Sequence, residues 1–288
     1  MASVARPIVG TNAEGERRRP LGARISRRIL PVYTGLVVLY LFLPIAVMII
    51  FGFNDAAGRF NFTWQGFTLD HYANIFTSQP RMNQALINSG IVAVISTLVA
   101  TVLGTLIGLA LTRYEFHGRG PINLLIFLPI ATPEIVLGAS LLALFVSAGV
   151  TRDITTIVIA HIMFNISFVV VTVRARIAGF NRSLEEAAMD LGADEWTTFR
   201  KVTFPLIFPG ILAAALLAFA LSIDDFVITQ FTSGSTVTFP LWVYGASRIG
   251  VPPEVNVMGT IIFAIAIIGL AGWSLLQRRD LVQVGQDR

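Results

Sequence analysis

Residues 181–211 read NRSLEEAAMDLGADEWTTFRKVTFPLIFPGI. The stretch starts polar and charged, and from Val202 onward it is almost wholly apolar. Ser183 followed by Glu186 makes a capping box, which predicts a short helix over Leu184–Leu191. Gly192 ends it, as a residue suited to positive φ. Asp194 is placed to cap a second short helix running through Arg200. Pro205 then marks the approach to a long apolar segment. The pair carries Ala187, Ala188, Leu191, Trp196 and Phe199 as apolar residues. Such a pair either lies on a lipid surface or docks to another protein, and shape alone leaves both open.

Outward from this loop the chain is dominated by long apolar runs. Of its 288 residues 55% are hydrophobic and 13% charged; a soluble domain carries about 25% charge. The runs fall near 31–53, 86–112, 121–147, 154–175, 206–229 and 255–276, each long enough to span roughly 30 Å of hydrocarbon. The reading is an all-α integral membrane protein with six transmembrane helices. An Arg-rich tail (1–29) precedes the membrane domain (30–277), the loop 181–205 lies within it, and a short tail (278–288) follows. No small-residue cleavage site follows the first run, so it reads as a retained span rather than a signal peptide.

Basic residues set the orientation. Of 21 Lys and Arg, Arg59, Arg81, Arg152 and Arg248 alone fall in segments on the opposite side from both tails and the loop at 181–205. Both termini and that loop are therefore expected in the cytosol. The same asymmetry explains the net charge of +4 without nucleic acid. The chain has no cysteine and only three histidines, His71, His117 and His161. Disulfides and thiolate chemistry are excluded, and a histidine metal site has no cluster to build on. His161 has Asn165 one turn away and reads as half of a satisfied polar pair. Gly104 and Gly108 form a G-x-x-x-G pattern that permits close helix packing. Trp64, Trp242 and Trp273 near span ends fit interfacial anchoring.

Glu186-Ala187-Ala188, then Gly192, then Val202-Thr203-Phe204-Pro205 resembles the EAA signature of binding-protein-dependent ABC importer permeases. The family pattern ends in Ile-x-Leu-Pro; Val202 and Phe204 replace Ile and Leu with apolar character kept. The resemblance implies a type I importer permease fold in the bacterial inner membrane. It implies pairing with a second permease, two cytosolic ATPase subunits docked on these loops, and an external substrate-binding protein. Glu186, Ala187, Ala188, Gly192, Asp194, Trp196 and Pro205 would form the ATPase-coupling loop. No G-x-x-x-x-G-K-[ST] phosphate loop occurs, so ATP and Mg would sit on the partner ATPase and this chain would bind no cofactor and catalyse no reaction itself.

The resemblance also reaches the spermidine/putrescine subfamily. It is carried by Leu128-Pro129-Ile130 through Pro133-Glu134-Ile135-Val136, by Leu221 through Thr229, and by Thr238 through Tyr244 with Arg248 and Pro253-Glu254. It implies a polyamine as solute, with 4-aminobutyrate, amino-sugar conjugates, phosphonates and ferric ion as subfamily alternatives. Glu134, Asp224, Asp225, Phe226 and Tyr244 are the candidate pathway residues. Acids within or beside spans are costly and line a path or pair with a partner. Pro129 and Pro133 are expected to break the third span, so that Glu134 opens a half-helix favoured by its dipole. Helix capping, or pairing with Arg248, is the alternative role for Asp224 and Asp225. A membrane enzyme would need a nucleophile and base or a metal set, and no such motif occurs. A stand-alone carrier commonly shows repeated halves, and none is visible.

Overall fold

The computed structural model describes residues 21–286 apart from residues 57 and 59. The Arg-rich tail to residue 20 and Arg59 lie outside the described residues, as do the side chains of Trp273, Arg278, Arg279 and Arg288. Among the described residues the chain is helical, with one isolated antiparallel bridge between Asn54 and Phe67. The helices are α1 (Leu21–Gly52), α2 (Asp70–Ala73), α3 (Ile75–Ser78), α4 (Pro80–Arg113), α5 (Arg119–Ala131), α6 (Glu134–Ser147) and α7 (Ile154–Ala178). Then come α8 (Ser183–Asp190), α9 (Glu195–Thr198), a π-helical segment (Phe199–Thr203), α10 (Phe204–Ile223), α11 (Val227–Thr232), α12 (Phe239–Ser247) and α13 (Pro253–Gln286).

Two compact units are distinguishable: Phe53–Met258, and the described residues up to Gly52 with those from Gly259 onward. In the second unit, Ile29–Gly52 of α1 is long and apolar enough to cross a membrane. Its apolar side chains, Leu36, Leu39, Tyr40 and Leu43 among them, are exposed. In water such a surface would be prohibitive; in hydrocarbon it is the solvated surface.

The larger unit holds the packed core. Three further helical segments are long and apolar enough to cross: Pro80–Arg113, Ile154–Ala178 and Glu195–Ile223. The predicted third span is a pair, α5 and α6, bent by 110° at Thr132–Pro133. The prolines explain the break, because Pro133 lacks an N–H and pushes Thr132 out of helical φ/ψ; Thr132 is extended at ψ 133°. The apolar part of α13 among the described residues runs Pro253–Gly269, shorter than a full crossing. The predicted fifth span also stops early, at Ile223, and α11 follows as a separate short helix.

Small residues set how the larger unit packs. Buried α4 positions include Ala85, Ser89, Ala93, Ser96, Ala100, Gly104 and Gly108, spaced three or four apart, so they form one stripe. A Cβ added at Gly104 would fall 2.6 Å from Val169 Cγ1, and one at Gly108 would fall 3.5 Å from Val173 Cγ1. The G-x-x-x-G pattern thus serves contact between α4 and α7 within one chain. Val169, Val173 and Ile177 of α7 join Ala100 of α4 and Ile207, Ala214 and Ala218 of α10 in one buried cluster. The segment after α1 is ordered around the fully buried Asn54. Its amide donates to Asn61 Oδ1 at 2.6 Å and to the Thr63 carbonyl at 2.8 Å, and its Oδ1 accepts from Gln65 N at 2.7 Å.

Candidate functional site

The loop 181–205 is built much as its residues require, with two corrections. The helix α8 begins at Ser183, so Ser183 is not the cap and the capping box does not form. Asn181 Oδ1 instead accepts from Ser183 N at 3.1 Å, a local turn that an Asn side chain makes readily. Gly192 has φ +88°, the left-handed turn expected of it. Asp194 Oδ1 accepts from Thr197 N at 3.2 Å and caps α9. The Thr197 hydroxyl and backbone N–H hold the Asp194 carboxyl below its usual range.

The second correction is continuity. The second short helix does not end at Arg200; α9, the π segment and α10 run on as one helical stretch, Glu195–Ile223. Pro205 lies in the first turn of α10. Its ring removes one i→i−4 bond, and the wider π turn just before it takes up the mismatch. The loop presents Leu184, Met189, Leu191 and Trp196 to the outside, with Leu191 90% exposed. Trp196 stacks on Phe199 with centroids 5.8 Å apart. Glu186 is exposed and 4.0 Å from Arg182; Ala187 is exposed and Ala188 half-buried beside it.

At the other end of α10 the candidate pathway acids separate into different roles. Asp225 caps α11: its Oδ2 accepts from Thr229 N at 2.8 Å and from the Thr229 hydroxyl at 2.7 Å. The same oxygen lies 3.3 Å from His161 Nε2, with both side chains under 10% exposed (3% and 7%). His161 Nδ1 is 2.6 Å from Ser222 Oγ, which is 3.0 Å from Ser96 Oγ. A buried polar chain therefore ties α4, α7, α10 and α11 together. His161 is satisfied by this chain and not by Asn165; the Asn165 amide, fully buried, has no hydrogen-bond partner among the described residues.

Asp224 sits one residue earlier, exposed, at the end of α10. Phe226 packs on Tyr244 of α12 with centroids 4.6 Å apart. The Arg248 guanidinium lies 4.9 Å from the Tyr244 centroid, so Arg248 pairs with a ring and not with either aspartate. Glu134 is the first residue of α6, exposed, where the helix N-terminus favours its charge. The α6 and α11 helices touch closely: a Cβ on Gly138 would fall 2.6 Å from Phe231 Cδ2.

Residues 100–279 match the family model described as binding-protein-dependent transport system inner membrane component. The chain belongs to this family. It is similar to the spermidine/putrescine transport system permease protein PotC of Escherichia coli K12, 36% identical over 255 residues, covering 88% of this chain and 96% of that one. It is also similar to the putrescine transport system permease protein PotI of the same strain, 34% identical over 250 residues, covering 84% and 88%. Its fold is like that of a chain in the crystal structure of a bacterial ABC transporter involved in import of the acidic polysaccharide alginate. The TM-score there is 0.64 at 18% identity, covering 90% of this chain and 98% of that one. The chain is thus a membrane permease subunit of the ABC importer type.

Several features of the permease were not visible in its sequence pattern. Glu185, beside the signature residue Glu186, is a loop acid held from other helical segments: Arg113 Nη2 lies 2.7 Å away and the Thr203 hydroxyl 2.6 Å away. Among the charged residues, only Arg113 at the end of one apolar run and Glu185 on the loop 181–205 could have hinted at it. The His161–Asp225 contact joins residues far apart in sequence, which periodicity does not reveal. A cavity of about 880 Å³ lined by Gln79, Arg81, Gln84, Asn88, Val237 and Trp242 lies at the N-terminal end of α4.

Proposed function

We propose that the permease is one of two membrane subunits of a polyamine importer, with six crossings and both termini in the cytosol. The loop 181–205 receives a cytosolic ATPase, which holds ATP and Mg; an external binding protein delivers solute. The permease itself carries no catalytic group and supplies the path. The exposed apolar residues Leu184, Met189, Leu191 and Trp196 on a capped loop support docking. A lipid-surface helix would need a continuous apolar face, and here the apolar residues are split by the Gly192 turn.

The solute reading rests on one observation above the rest. Asp224 stands open at the end of α10, two residues before Phe226, whose ring packs on Tyr244. A free carboxylate and aromatic faces suit an alkylammonium group, through charge and cation–π attraction. Names of the relatives point the same way. Glu134 adds a second open acid, and fixed negative charge lowers the cost of moving a polycation through low dielectric.

Labelled putrescine and spermidine uptake tests this, in cells lacking their own polyamine importers and given the permease together with a partner permease, an ATPase and a binding protein from the same source. D224N and E134Q are expected to lower uptake with the complex intact. Uptake unchanged in both removes the acids from the path, and no uptake by the wild type moves the solute elsewhere in the subfamily. Single cysteines at Leu191 and Ser235, both exposed, should label from opposite faces in intact spheroplasts and inverted vesicles. Labelling of both from outside would refute the orientation.

A further inference from the structure

Besides the helix that runs on from α9 into α10, one carboxylate oxygen ties α8 to the rest of the permease. Glu185 Oε1 accepts from Arg113 Nη2 at 2.7 Å and from the Thr203 hydroxyl at 2.6 Å. Arg113 closes α4, Glu185 lies in the first turn of α8, and Thr203 closes the π segment at the head of α10. The Arg113 guanidinium also stands 5.5 Å from the Phe180 centroid, two residues past the end of α7. The Arg113 and Glu185 side chains are 17% and 13% exposed, and Thr203 is buried.

The other loop acids behave differently. Glu186 is open to solvent, 4.0 Å from Arg182 on its own helix. Asp190 and Glu195 are exposed, and Asp194 caps α9 locally. Exposed pairs are screened and weak. A half-shielded carboxylate with two charge-assisted or hydroxyl donors is stronger and fixes geometry. The helix α8 therefore cannot slide against the end of α4 without breaking the Arg113 contact, nor leave the head of α10 without breaking the Thr203 contact.

We propose that Glu185 is the positioning residue that carries movement of the docking loop into α4 and α10. It does not meet the solute or the ATPase. It clamps α8 to two membrane helices, so that a push on the loop moves them with it. The inference rests on the reading that this loop receives the ATPase, and it is independent of the solute.

The test uses the full complex in nanodiscs. The permease has no native cysteine, so a cysteine replacing Gln84, near the far end of α4, is its single reporter. Its labelling rate by an impermeant maleimide is compared with and without ATP plus vanadate, read on the permease band. The wild type is expected to change rate on trapping. E185Q should reduce that change at least fivefold while the ATPase still co-purifies and still hydrolyses ATP. E185D should restore at least half of it. A full response in E185Q overturns the inference and leaves docking intact; loss of the ATPase from E185Q overturns it too, by making Glu185 part of the docking surface. A wild type that captures no ATPase overturns the docking reading together with the inference. Should E185Q fail to insert, T203V decides: it keeps the charge pair and removes one donor, and a response equal to wild type overturns the proposal.

Discussion

Alanine at Gly104 measures how closely α4 and α7 are held. The new Cβ would lie 2.6 Å from Val169 Cγ1, 2.8 Å from Val169 Cβ and 3.2 Å from the Ile166 carbonyl oxygen. Carbon pairs settle at about 3.5–4.0 Å, so the helices must part locally by roughly 1 Å. Rotating Val169 cannot relieve this. Its Cβ is fixed to the backbone, and a β-branched side chain in a helix has one strongly preferred rotamer. Val169 is also fully buried against Ala100, Ile207 and Ala214. Overpacking of this kind costs about 1–3 kcal/mol, and alanine returns up to about 1 kcal/mol of helix propensity. Two contacts under 3 Å put the clash in the upper part of that range, about 2–3 kcal/mol, so the net loss for G104A is about 1–2 kcal/mol. At Gly108 the nearest atom is 3.5 Å away, an ordinary contact; G108A keeps the propensity gain and should be neutral or stabilised. At roughly 2–4 °C per kcal/mol, G104A should melt about 2–8 °C below wild type. G108A should melt at or above wild type. Thermal unfolding of the purified permease in detergent, followed by Trp fluorescence, is the assay. Equal melting of the two variants would refute the packing argument.

The Gly192 turn gives a second outcome. Nothing lies near a Cβ there, so only φ +88° opposes a side chain. G192V should abolish stimulated ATPase activity in the reconstituted complex while G192N, which tolerates this region, should keep most of it; equal loss in both would deny the backbone cause. H161F leaves Asp225 and Ser222 short of a buried partner, at about 1–3 kcal/mol, and should lower the melting temperature more than S96A does. Asp194 gives a pH signature. Its carboxyl is held below the usual range by Thr197, so its cap is complete above the ordinary carboxylate value of about 4 and is lost as pH falls through the depressed one. The protection factor of the Thr197 N–H, its exchange divided into the intrinsic rate at each pH, should fall in that window in wild type and stay flat in D194N; identical profiles would remove the cap from the loop's order.

Local signals carried far along this chain, and long-range ones did not. Gly192 needed a turn and Asp194 a cap, and both are where their chemistry places them, because each effect spans a few residues. Pro129 and Pro133 marked the break before Glu134 for the same reason. The capping box at Ser183 failed because Asn181, two residues earlier, offered a competing local bond. The π segment at Phe199–Thr203 leaves no composition mark, so local signals divide one uninterrupted helix into two. Asp225 looked like a pathway acid while its partner, His161, lay 64 positions away; pairing across that distance exists only once α7 and α10 pack. The six apolar runs were plain, but a run of apolar residues is the same whether the helix is straight or bent by 110°.

That bend limits where lipid can be. Two helices ending at Ala131 and beginning at Glu134 leave carbonyls and N–H groups without helical partners. Within a helical run such groups would be matched; at the kink only a few are, among them the Leu128 carbonyl, which accepts from the Thr132 N–H and hydroxyl. Acyl chains offer no hydrogen bonds, and irregular backbone at membrane depth persists only against protein or water. The corner at Leu128–Val136 therefore belongs on the side of the permease that turns away from the bilayer. Fluorescent reporters placed at this corner should escape quenching by brominated lipids, while those beside the exposed isoleucines and leucines of α1 and α4 should be quenched.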